Sequence, residues 1–151
     1  MKKILAAVLL SFAVSIPALA EVKIEEPWVR ATVAQQKATG AFMRITAPQD
    51  ARLVSAKSPV AGKVEIHEMV LENDVMKMRP VAAVELPAGK PVELKPGGHH
   101  VMLLELKRPL SPGDDVPISL VVEGSDGKRE TLELAAPVRP LHSTSGGNHG
   151  R

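Results

Sequence analysis

Between His67 and Met102 the chain concentrates side chains that can bind a metal. They are His67, Met69, Met76, Met78, His99, His100 and Met102, four of the six methionines and three of the five histidines. Ten residues separate His67 from Met78, twenty-one separate Met78 from His100, and one separates His100 from Met102. None of the 151 residues is cysteine, so the ligand set is imidazole plus thioether without thiolate. Thioether sulfur is a soft, neutral donor that selects Cu(I) among the biological metals, and imidazole suits copper in either oxidation state. The stretch therefore reads as a copper site. A blue-copper electron-transfer centre needs a thiolate, and the body of the chain carries no nucleophile motif, general base or second metal site. A carrier fits better than an enzyme.

Such a site needs elements that bring distant residues together. Thirteen prolines spread from Pro17 to Pro140 leave few windows for a long helix. Short alternating segments between turn signals predict strands at 22–25, 28–32, 41–46, 53–57, 63–70, 75–79, 92–94, 99–106, 116–123 and 129–135. Pro27 is expected to break the first two apart, and 35–39 reads as a loop. Short strands at this spacing predict a Greek-key sandwich or barrel. His100 and Met102 are two apart on one strand and so share a face. His67 and Met78 lie on the two arms of a hairpin turning at Glu72-Asn73-Asp74. A loop of Glu72-Asn73 would set His67 opposite Met78. A loop of Asn73-Asp74 would set Met69 opposite Met78, with His67 on the diagonal.

The ends supply an address. Lys2 and Lys3, the apolar run 4–16 and the small-residue site Ala18-Leu19-Ala20 have the form of a secretory signal. The expected organisation is a cleaved signal at 1–20, a copper-binding β domain at 21–140 and a flexible tail at 141–151. Removing the signal takes away two lysines and no acid, so the formal charge falls from +2 to zero. No basic cluster remains to track a phosphate backbone, which argues against nucleic acid as a partner. No membrane span is expected after cleavage, and the protein is read as a monomer. The zero cysteine count also removes any disulfide framework and any lipid attachment to cysteine.

Each candidate has a plainer role to be weighed. Met43 reads as core filler, and Met76 as a hydrophobic wall beside Met78. Met69 shares a face with His67 and stays open as a ligand. His99 is expected to face solvent, Glu65 and Glu68 to be solvated, and Trp28 to plug the core. His142 and His149 in the tail offer a possible second site for Cu(II), although a terminus without a metal role is the preferred reading.

Taken together, His67-Glu68-Met69, Met76-Lys77-Met78-Arg79-Pro80 and Leu94-Lys95-Pro96-Gly97-Gly98-His99-His100-Val101-Met102-Leu103 resemble the periplasmic copper chaperones known as PCuAC. The resemblance extends from Trp28-Val29-Arg30 through Leu110 and Gly113 to the final strands. It implies a cupredoxin-like all-β fold binding one Cu(I) through His67, Met78, His100 and Met102. It also implies delivery of copper to a cytochrome c oxidase subunit or another copper chaperone in the periplasm. Storage or resistance without delivery is the alternative within the same class.

Overall fold

Period-two alternation of apolar and polar residues dominates the chain, and it folds accordingly. The computed structural model describes residues 21–142, and within them ten strands form and no helix. The expected signal at 1–20 and the tail from 143 onward, His149 included, lie outside the described residues. In chain order the strands are β1 (Lys23–Arg30), β2 (Ala38–Thr46), β3 (Ala51–Lys57), β4 (Ala61–Glu72), β5 (Val75–Pro80), β6 (Val84–Leu86), β7 (Val92–Leu94), β8 (His100–Leu106), β9 (Asp115–Gly124) and β10 (Arg129–Arg139).

Hydrogen bonding runs β5-β4-β8-β2-β1-β10-β9-β3-β6, with β7 also pairing β2. All pairs are antiparallel except β1 with β10, which meet in parallel at Val29 opposite Val138 and Arg30 opposite Arg139. The two halves on either side of that junction face each other across one aliphatic core. Val29, Ala41, Met43, Ile45, Ile66, Val101 and Leu103 come from one half. Leu53, Leu86, Val116, Ile118, Leu120 and Val122 come from the other. Each fully buried Val, Leu or Ile stabilises the fold by about 1.5–3 kcal/mol, which makes a core almost without aromatic rings workable. This is the cupredoxin-like β-sandwich expected from the sequence.

Three local expectations are corrected. Pro27 does not split the first strand: β1 is continuous, and the extra residue is absorbed as a bulge between Glu25 and Trp28, with Glu26 at φ 49. β2 begins at Ala38, inside the segment read as a loop, because Ala38 and Thr39 pair with Leu104 and Leu103 of β8. β6 was not anticipated. It is three residues long, flanked by Pro80 and Pro87, and exists because the edge of β3 offers it a partner.

The sheet β5-β4-β8-β2-β1 has a second face, turned away from the core. On β2, Ala41, Met43 and Ile45 point inward, so Gly40 and Phe42 point to that other face. Trp28 lies opposite Phe42. It is 2% exposed, yet it does not plug the core as expected. Its burial comes from Phe42 and from the guanidinium groups of Arg30 and Arg139, whose Cζ atoms lie 6.0 and 5.4 Å from its ring.

Candidate metal centre

Register decides which side chains meet. Across β4 and β8, His67 lies opposite His100 and Glu65 opposite Met102. Across β4 and β5, Met69 lies opposite Met78, with His67 opposite Pro80. Residues opposite one another in an antiparallel pair share a face, so His67, Met69, Met78, His100 and Met102 all project from the outer face of this sheet. The hairpin chooses the second of the two registers considered above. Asn73 and Asp74 sit at φ 51 and 60, the positive values of a type I′ two-residue loop, for which Asn and Asp are favoured. His67 is therefore diagonal to Met78 rather than opposite it.

The turn before β8 is equally local. Pro96 and Gly97 occupy the central positions of a turn closed by the Gly98 amide donating to the Lys95 carbonyl at 3.0 Å. Gly97 is at φ 84, a value that suits glycine after proline in a type II turn. The Gly98 carbonyl then accepts from the Met69 amide at 3.3 Å and faces His100 Nδ1 at 3.2 Å. Gly40 has a different task. A Cβ there would meet the Phe42 ring at 2.7 Å, so glycine opposite Met102 lets that ring lie down beside the site.

The result is a half-open cavity of about 310 Å³ walled by Arg30, Phe42, Met69, Met78, His100 and Met102. His100 Nε2 stands 3.3 Å from Met78 Sδ. The two imidazole rings are 5.8 Å apart, and the Phe42 ring is 6.1 Å from His100. His67 and His100 are 9% and 5% exposed, whereas Met78 is 47% exposed.

Hydrogen bonding fixes the ring nitrogens. A backbone carbonyl only accepts, so His100 Nδ1 donates to Gly98 and Nε2 carries the lone pair. That lone pair faces a thioether, which likewise has only lone pairs to offer. Two ligands of one tetrahedral ion at about 2.0–2.3 Å would stand roughly 3.5 Å apart, and the His100–Met78 separation fits that spacing. Burial holds the His100 pKa below the usual imidazole range, against the opposing pull of the Gly98 carbonyl, with His67, His99 and Arg30 adding smaller like-charge contributions. His100 is thus kept neutral, the form that ligates. His67 Nε2 lies 2.7 Å from Glu65 Oε2, and His67 Nδ1 is buried with no hydrogen-bond partner.

The remaining candidates separate cleanly. Met43 is core filler, as expected. Met76 is not the wall anticipated: it lies opposite Leu71 towards the hairpin tip, 50% exposed and away from the cavity lining. An edge strand has one neighbour, and here its whole length is exposed. His99 is partly exposed, 3.5 Å from Glu68. His142 is exposed. Sequence reading missed Glu65, Phe42 and Arg30 as parts of the site. For Glu65 a signal existed, since it is two residues from His67 on one strand face.

Among the described residues no three of His, Cys, Asp and Glu converge on a common point. The donors that do cluster are two imidazoles and the thioethers of Met78, Met102 and Met69. A neutral shell of that kind suits a soft monovalent ion such as Cu(I), and it lacks the carboxylates that hard cations require.

Comparison with known proteins shows the family to which this fold belongs. Residues 22–138 match the family described as "Putative lipoprotein LpqE-like". Lxx21020 of Leifsonia xyli subsp. xyli is 33% identical over 119 residues, 78% of this chain and 69% of that one. Among solved structures, the Cu(I) form of DR1885 from Deinococcus radiodurans is 32% identical with a TM-score of 0.57, covering 83% of each chain. The copper-bound PCuAC domain from PmoF2 is 25% identical with a TM-score of 0.60, covering 81% of this chain and 97% of that one. The chain belongs to the LpqE-like family, the family of the PCuAC domains.

Proposed function

We propose that this protein is exported, binds one Cu(I) through His67, Met78, His100 and Met102, and passes it on. The observation that carries the reading is the meeting of His100 Nε2 and Met78 Sδ at 3.3 Å, two lone-pair donors facing each other beside Met102. The copper-bound state of the similar PmoF2 domain and the Cu(I) form of DR1885 support the choice of metal. The family's description as lipoproteins supports export, and the form of residues 1–20 supports a periplasmic address.

In this reading the buried imidazoles hold the ion, while the exposed thioether of Met78 leaves one side open to an incoming ligand. Thioethers do not titrate, so acid weakens binding only through the histidines. The acceptor we favour is a copper centre of cytochrome c oxidase, reached directly or through another chaperone. Storage or resistance is the competing role. Deleting the gene and measuring oxidase copper content and activity at limiting copper tests delivery: loss of assembled oxidase, restored by added copper, is expected. Normal oxidase with heightened copper sensitivity would overturn delivery in favour of storage.

A further inference from the structure

The two imidazoles are held in different ways. His100 donates from Nδ1 to the Gly98 carbonyl and keeps its lone pair on Nε2. His67 does the reverse. Its Nε2 is 2.7 Å from Glu65 Oε2, and an ionised carboxylate only accepts, so the proton is on Nε2. Its Nδ1 then carries the lone pair, and that atom is buried without a partner. We infer that His67 binds the metal through Nδ1 and that Glu65 is the positioning residue which fixes this tautomer. The inference rests on the copper reading and deepens it.

Strand periodicity builds the device. Lys63, Glu65 and His67 are successive outward residues of β4. Lys63 Nζ lies 2.6 Å from Glu65 Oε1, and the other oxygen faces His67. The lysine therefore anchors the carboxylate from one side, and the carboxylate anchors the ring from the other. Metal-ligating histidines commonly donate their second N–H to a carboxylate or a backbone carbonyl, which sets ring orientation and raises basicity. Here each imidazole has one of the two. An anionic partner makes His67 the stronger donor, and a neutral carbonyl in a turn makes His100 the weaker one. A buried acceptor nitrogen with no donor near it is also an unsatisfied group, and a cation at Nδ1 satisfies it.

Long-range proton–nitrogen correlation spectra of the histidine rings, with and without one equivalent of Cu(I), test this on the full-length exported protein. The apo protein is expected to show the Nε2–H tautomer at His67. On loading, the Nδ1 resonance should move as a metal ligand while Nε2 keeps its proton. Competition against a Cu(I) chelator should show Glu65→Ala weakening affinity by about 10–100-fold, with Glu65→Gln losing less because its amide oxygen still accepts. Amide correlation spectra of both variants should match the parent away from β4. Loss of the Nε2 proton on loading would overturn the Nδ1 assignment, and a Glu65→Ala protein that binds as tightly or more tightly would overturn the role of Glu65; either result leaves the copper reading standing. A parent protein that takes up no Cu(I) would overturn the copper reading with it.

Discussion

Three of the proposed ligands, His67, His100 and Met102, and the fourth, Met78, are built from different parts of the sheet. His67 and His100 face each other on β4 and β8, both of which have a neighbour on either side. Met78 stands on β5, the outermost strand, all six of whose residues are exposed. Side chains fixed between two paired strands lose little further freedom when an ion arrives. A thioether on an edge strand can swing aside without breaking the core. The difference points to a site that grips through His67, His100 and Met102 and lets go through Met78, which is what the proposed carrier role requires.

Removing the grip should have the largest effect. His100→Ala is expected to lower Cu(I) affinity by more than about 100-fold, beyond the loss typical of a supporting group. It should also destabilise the apo protein by about 1–3 kcal/mol, because a buried ring and its bond to Gly98 go with it. A chelator competition and a thermal melt read the two effects. Met78→Ala should separate them: affinity falls by roughly 10–100-fold, while the melt barely moves because the side chain is half in solvent. Met76→Ala, on the same strand face but outside the cavity lining, should stay within a few-fold in affinity and within about 0.5 kcal/mol in stability. Equal copper losses in Met76→Ala and Met78→Ala would erase the distinction between the site and the hairpin tip.

A smaller effect concerns the apo protein in acid. The His100 pKa is depressed by burial, so the unfolded chain binds a proton more readily than the folded one. That contribution to stability is complete above the unfolded value of about 6.5 and is lost as pH falls through that value towards the lower folded one. The slope cannot exceed about 1.4 kcal/mol per pH unit. Melting curves of the parent and His100→Gln between pH 7.5 and 5.5 should converge as pH falls. A parallel course would contradict the neutral, buried imidazole.

Much of this arrangement is legible in the residues. His100 and Met102 share a face because strands alternate. The residues place the hairpin turn at Glu72-Asn73-Asp74 but leave two registers open, and the positive φ of Asn73 and Asp74 decides between them. Other features depend on what lies across the sheet. Trp28 looks like core from composition alone, and only the bulge at Pro27 and the position of β2 show that its burial is on the opposite face. Met76 and Met78 are alike in sequence, and their difference comes from which one reaches the cavity and which one sits at the hairpin tip. Glu65 is a carboxylate on a polar strand face until a side-chain conformation brings it to His67.

X-ray absorption at the copper edge of the Cu(I)-loaded protein bears most directly on the proposed site. Two nitrogen and two sulfur scatterers are expected, falling to one sulfur in Met78→Ala and unchanged in Met76→Ala. A shell without sulfur, or one that Met78→Ala leaves intact, would contradict the assignment of His67, Met78, His100 and Met102.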